Sequence, residues 1–109
     1  MKVLDLIDKY YPQDNELKHI LNVHSRSVAD KALWIAGKHP ELNLDTVFLE
    51  EAVMLHDIGI FLTHAPGIQC FGTEPYICHG YLGAGLVRKE GFPRHALVCE
   101  RHTLSLIHI

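Results

Sequence analysis

The stretch AVMLHDIG, residues 52–59, ends a predicted helix on a histidine-aspartate pair. Ala52 and His56 are four residues apart, so they share one face of that helix, which points toward the core. Gly59 stands where a helix C-cap is expected. Asp57 then lies at the unfavourable end of the helix dipole unless a positive group is nearby. The stretch therefore predicts an inward-facing histidine beside a carboxylate that needs a cation.

Helical periodicity continues on both sides of this stretch, and no segment alternates apolar and polar residues over the length of a typical strand. Pro12, Pro40 and Gly91 act as stop signals between the segments. The predicted helices cover about 2–10, 15–39, 45–58, 75–90 and 93 to at least 102. Residues 60–74, rich in glycine and proline, read as a long ordered loop. We predict an all-α fold, a compact bundle of about five helices in a single domain over residues 1–109.

Four of the predicted helices each direct one histidine toward the apolar face: His24, His56, His79 and His102. A single histidine of this kind is ordinarily a core residue with one hydrogen-bond partner. Four on neighbouring faces need four partners, because burying an unpaired imidazole costs about a few kcal/mol. One shared cation satisfies them together, since neutral imidazole nitrogen binds Zn, Fe, Mn or Co. Asp57 supplies the negative charge that such a site needs.

The remaining five of the nine histidines carry weaker signals. They lie near polar faces, helix ends, the loop or the chain end: His19, His39, His64, His95 and His108. We expect them to be solvated or structural, and His64 is the best candidate for an exception because its loop follows the His-Asp pair.

Composition narrows the class of protein. Hydrophobic residues make up 48% and charged residues 21%, which excludes a disordered chain, and a net charge of -3 argues against a nucleic-acid partner. No apolar run reaches the ~18 residues of a membrane span, and Asp5 and Asp8 interrupt any secretory signal. Three sparse cysteines make no disulfide framework. We expect a cytoplasmic protein with no membrane partner.

Four segments together resemble the motifs of the HD superfamily of metal-dependent phosphohydrolases. They are HSRSVADKAL at 24–33, AVMLHDIG at 52–59, CHGYLGAGLV at 78–87 and ERHT at 100–103. An isolated HDIG is weak evidence, but the ordered series of His, His-Asp, His and His on successive helices is specific. The last two segments resemble the subgroup that builds a two-metal site, which includes hydrolases of symmetrical dinucleoside polyphosphates.

The resemblance implies roles for five residues. His24, His56 and Asp57 match the core metal ligands, and Asp57 matches the residue that bridges both ions and orients the catalytic water. His79 and His102 match ligands of the second ion. One or two divalent ions are implied, and Fe, Mn, Zn and Co are not distinguished. The implied activity is hydrolysis of a nucleotide or related small-molecule phosphate ester.

The sequence departs from the family pattern at three points. The family's last ligand is an aspartate on a further helix, but no Asp follows Asp57 here. Ile60 stands where many members have a lysine that contacts substrate phosphate, and Arg26, Lys31, Arg88 and Arg101 are not assigned to that role. The glycine-proline signature of cyclic-di-GMP phosphodiesterases is absent. Because the ending LSLIHI follows ERHT abruptly, we expect a truncated chain whose native form continues for one or two helices.

Two other functions are compatible with these motifs. Some HD-fold proteins are di-iron oxygenases, and their ligands look the same in sequence. The domain could also bind a metal or nucleotide without catalysis, a reading favoured by the missing last aspartate. A homo-oligomer is equally compatible with the sequence.

Overall fold

The computed structural model describes the backbone of residues 2–107 and the side chains of residues 3–102. The described chain contains five α-helices: α1 (Lys2–Tyr10), α2 (Glu16–Lys38), α3 (Thr46–Leu55), α4 (His79–Lys89) and α5 (Pro93–Ile107). They confirm the prediction of an all-α fold with five helices. His108, predicted to be solvated or structural, lies outside the described residues.

The N-caps at the starts of α2 and α3 are Asn15 and Asp45. Each side chain accepts a hydrogen bond from a backbone N–H three residues later, Lys18 at 3.0 Å and Phe48 at 3.0 Å. Helix α2 runs for 23 residues. Within residues 2–107, no helix combines the length and the apolar character needed to cross a membrane.

The segment after α3 differs from the prediction. Helix α3 ends at Leu55, short of the predicted end at residue 58, and a 3-10 helix follows at Ile58–Leu62. The tighter winding ends the α-helix before Gly59, so that the glycine backbone meets α4. A second 3-10 helix, Tyr76–Cys78, replaces the predicted first turn of α4.

The predicted loop over residues 60–74 contains a small antiparallel hairpin. Its strands, β1 (His64–Ala65) and β2 (Cys70–Phe71), flank a 3-10 turn at Pro66–Ile68. Strands of two residues are too short to show an alternating pattern, which explains why the sequence did not predict them. The cysteines Cys70, Cys78 and Cys99 are free.

The turn after α3 is hydrogen-bonded to Tyr11 and to Cys99 of α5. The Tyr11 hydroxyl donates to the Ile58 carbonyl at 2.7 Å and accepts from the Phe61 amide at 3.3 Å. From the other side, the Cys99 thiol of α5 donates to the Leu55 carbonyl at 3.3 Å. All five residues are buried or partly buried, so these bonds fix the turn in a region closed to water.

Gly59, within this turn, packs directly against the backbone of α4. A Cβ atom at Gly59 would lie 2.4 Å from the His79 carbonyl oxygen and 2.5 Å from the Gly83 amide nitrogen. No side chain fits there, so glycine is required for the close approach. The approach brings the first residue of α4, His79, next to Asp57.

Replacing Gly59 by alanine should therefore push α4 away from the turn. We expect Gly59→Ala to lower the free energy of unfolding by about 1–3 kcal/mol, measured by urea denaturation. Gly85→Ala on the exposed side of α4 is the matched control, because no atom lies within 4 Å of its Cβ position. That change should be neutral or stabilise the helix by up to about 1 kcal/mol. Equal stability of Gly59→Ala and the unchanged chain would show that the contact is loose.

Candidate metal centre

The Asp57 carboxylate lies among four imidazoles. Its Oδ2 atom is 3.2 Å from Nε2 of His24 and 3.2 Å from Nε2 of His56. Its Oδ1 atom is 3.1 Å from Nε2 of His79 and 3.0 Å from Nε2 of His102. Each carboxylate oxygen thus faces one pair of histidines. All five residues singled out from the sequence come together here, and we call them the Asp57 cluster.

Each member of the cluster comes from a different point of the fold. His24 lies within α2, His56 follows the last residue of α3, His79 is the first residue of α4 and His102 lies in α5. Asp57 stands at the start of the 3-10 helix, with φ -105° and ψ 13°. The turn that ends α3 early is what aims this carboxylate at the other three helices.

Three of the four imidazoles are oriented by the same backbone contact. Nδ1 of each ring faces the carbonyl oxygen three residues earlier: Val53 for His56, Tyr76 for His79 at 2.7 Å, and Cys99 for His102 at 2.7 Å. A carbonyl oxygen only accepts, so Nδ1 carries the proton. In the neutral ring, Nε2 then presents a lone pair toward Asp57.

The cluster therefore brings hydrogen-bond acceptors together. Nε2 of His79 and Nε2 of His102 are 3.0 Å apart, and both face the acceptor oxygen of Asp57. Lone pairs at this distance need a proton or a cation between them. Two ligand atoms at right angles, each about 2.1 Å from an ion, are about 3.0 Å apart. The ligand atoms of Asp57, His79 and His102 are therefore close enough together to bind one ion.

The electrostatics of the cluster keep Asp57 ionised. Burial raises the pKa of Asp57. When Nε2 of His102, His56 and His79 also carries a proton, the hydrogen bonds that these rings donate to Asp57 outweigh burial and hold that pKa well below its usual range. Burial likewise lowers the pKa of His56, while the hydrogen bond and negative charge of Asp57 more than reverse this and raise it. Protons and a metal ion are therefore alternative occupants of the same nitrogen atoms.

His24 differs from the prediction that it points into the core. Its side chain is 56% exposed, whereas the His79 side chain is 4% exposed. The buried residues of α2 are Leu21, Ser25, Ala29 and Ala36. His24 lies at the edge of this buried face and so lines the mouth of the cluster.

The other described histidines stand apart from the Asp57 cluster. His95 places Nε2 3.2 Å from the Glu51 carboxylate and packs between the rings of Phe48 and Phe92. His19, His39 and His64 are exposed. Among residues 3–102, the groups that could hold a metal are His24, His56 and Asp57, and Asp57, His79 and His102. His64, the expected exception, belongs to neither.

Two cavities adjoin the cluster. One, of about 190 Å³, is lined by Ile20, His24, Asp57, Ile60, Ile68 and Tyr76. The other, of about 300 Å³, is lined by Leu97, Val98, Arg101 and His102. A larger groove of about 740 Å³ between α1, α2 and α3 contains no histidine in its lining and is separate from the cluster.

The sequence did not identify Tyr76 or Ile68, because their place beside Asp57 depends on the hairpin and on the 3-10 turn before α4.

The comparison with protein families agrees with the geometry. The family model for the HD domain matches residues 22–108, a segment that contains every member of the Asp57 cluster. Searches of curated proteins and of solved structures gave no match. Because the matched segment covers most of the chain, the chain belongs to the HD domain family.

Proposed function

We propose that the chain is a metal-dependent phosphohydrolase acting on a nucleotide or related phosphate ester, and that the Asp57 cluster holds its metal. One observation carries the proposal: a single carboxylate lies between two pairs of imidazoles, and Nε2 of His79 and Nε2 of His102 converge on the same carboxylate oxygen. Membership of the HD domain family supports the same chemistry.

The cluster divides naturally into two halves. His24 and His56 share Oδ2 of Asp57, and His79 and His102 share Oδ1. Each half offers three ligand atoms, so the site can hold one divalent ion or two. The two halves contain only one carboxylate among the described side chains, so two dications would leave a net charge of about +3 in a partly buried site.

Asp57 has the central role in the proposed mechanism. A bound divalent ion supplies polarisation of the phosphoryl oxygens and a lowered pKa for a bound water. Asp57 holds the ligand atoms in place and accepts a hydrogen bond from the attacking water, which orients the water toward phosphorus. Because the His24 side chain is exposed, the site is open to solvent at this point and substrate can reach it.

A cation for the substrate phosphate is available at Arg101. Ile60, at the position where many HD proteins have lysine, is buried at 4% exposure and makes no polar contact through its side chain. Arg26 is already paired with Asp30 and Glu50. Arg101 is exposed, lines the groove beside His102, and forms no ion pair within residues 3–102.

The net charge of the site leads to a prediction about stoichiometry. We expect the purified chain to retain about one tightly bound divalent ion, with a second bound at least about tenfold more weakly, because one carboxylate offsets little of the second charge. Elemental analysis after gel filtration and a competitive chelator titration measure both values. Two ions of equal affinity would contradict this expectation.

The two halves should also differ in affinity. His79 is buried and fixed by the Tyr76 carbonyl, whereas His24 is more than half exposed and must be ordered on binding. His79→Ala should therefore lower the affinity for the first ion by more than about 100-fold, and His24→Ala by about tenfold less. Competition with a fluorescent chelator measures the difference. A larger loss in His24→Ala would place the tight ion at the other oxygen of Asp57.

Activity is tested with Asp57→Asn, which keeps the size of the side chain and removes its charge. The chain reconstituted with Mn, Fe, Zn or Co is assayed for phosphate release from a panel of nucleotides and simple phosphate esters. We expect release that falls at least about 100-fold in Asp57→Asn, with the helical circular dichroism retained. His19→Ala, an exposed histidine on α2 outside the cluster, should leave activity unchanged.

The same assay separates the proposed reaction from its alternatives. Oxygen consumption without phosphate release by the iron-loaded chain would identify a di-iron oxygenase. Metal binding without either reaction would identify a non-catalytic binding domain. Equal phosphate release by Asp57→Asn and the unchanged chain would remove Asp57 from the mechanism.

A further inference from the structure

The smaller cavity beside the Asp57 cluster has one polar side, and the rest of its lining is mainly apolar. Its volume is about 190 Å³, and His24 and Asp57 form one side of it. The rest of the lining consists of Ile20, Ile60, Ile68 and Tyr76. No lysine or arginine is among the lining residues, so this end of the site offers apolar surface where a phosphate would need charge.

The size of the cavity limits what it can contain. An apolar cavity of about 150 Å³ is large enough to bind benzene, whereas sites for drug-sized ligands occupy about 300–1,000 Å³. A volume of about 190 Å³ therefore has room for one ring or one branched chain.

Three elements hold the apolar walls in place. Ile60 belongs to the 3-10 helix after Asp57, and its carbonyl accepts a hydrogen bond of 2.7 Å from the buried Thr63 hydroxyl. Ile68 ends the 3-10 turn inside the hairpin. Ile20 lies one helical turn before His24 on α2. The walls are thus built from the same segments that position the cluster.

Tyr76 connects this cavity to the cluster. Its ring centroid is 4.5 Å from that of His79, with 37° between the ring planes, and the residue is 41% exposed. Its backbone carbonyl accepts the hydrogen bond from Nδ1 of His79. Substitution of the Tyr76 side chain leaves that carbonyl in place, so the effect of its ring can be tested separately from the orientation of His79.

We propose that this cavity binds one compact aromatic or branched apolar group of the substrate, and that Tyr76 is a specificity-determining residue that contacts this group. The inference rests on the proposed function, because it places the phosphate of the substrate at the Asp57 cluster. The charged groove with Arg101 lies on the His102 side. The substrate then lies with its apolar group toward His24 and its phosphate toward the Arg101 side.

Two phosphonates that cannot be hydrolysed test the proposal through binding. Phenylphosphonate and methylphosphonate share the metal-binding group and differ only in the ring. We expect the full chain reconstituted with Mn²⁺ to bind phenylphosphonate at least about tenfold more tightly by isothermal titration calorimetry, because the ring leaves water for an apolar pocket.

Variants locate the preference within the cavity. Tyr76→Ala should reduce the preference for phenylphosphonate by at least about fivefold and leave methylphosphonate affinity and metal content unchanged. Tyr76→Phe keeps the ring and should keep the preference. Ile68→Phe, which fills the cavity from the hairpin, should also abolish the preference. Tyr81→Ala, a tyrosine of α4 that is 68% exposed and outside the cavity, is the matched control and should match the unchanged chain.

Each outcome decides a separate point. Equal affinity of the unchanged chain for both phosphonates would overturn the cavity assignment and leave the proposed function standing. Equal loss of both phosphonates in Tyr76→Ala, with normal metal content, would show that the residue does not determine specificity. Failure of the metal-loaded chain to bind either phosphonate would contradict the proposed function, and the cavity assignment would fall with it.

Discussion

The ionised carboxylate of Asp57, enclosed by four imidazoles, is the constraint around which the fold is arranged. A charge largely removed from water in this way is stable only when fixed partners lie close to it. Helices α2, α4 and α5 and the end of α3 each contribute one partner. The close contact of Gly59 with α4 and the hydrogen bond from the Cys99 thiol to the Leu55 carbonyl keep those partners near Asp57. The contacts that pack the core therefore also hold the site together.

Much of this arrangement was predictable because helical spacing is a local property. The apolar faces of the helices indicated which four histidines converge on Asp57. The exposure of His24 was not predictable. His24 is next to the buried residue Ser25, so a small rotation of α2 about its axis decides whether His24 is buried or exposed. That rotation depends on how α2 packs against α3.

The segment between α3 and α4 was the least predictable part of the chain. Its hairpin and 3-10 turns are set by contacts with distant residues, such as the Tyr11 hydroxyl on the Ile58 carbonyl. Glycines and prolines indicated that the segment is irregular but not where its side chains lie. The apolar cavity formed by Ile68 and Tyr76 is consequently visible only in three dimensions.

The hydrogen bonds of the Tyr11 hydroxyl show that residues before the family match support the Asp57 cluster. The family match starts at residue 22, so α1 and Tyr11 lie outside it. Yet Tyr11 is 4% exposed and holds both the carbonyl of Ile58 and the amide of Phe61, immediately after Asp57. Helix α1 is also tied to the end of α4, where Glu90 accepts a 2.8 Å hydrogen bond from Tyr10. A fragment that begins at residue 22 would keep every candidate metal ligand. It would lose the Tyr11 hydrogen bonds that fix the turn directly after Asp57.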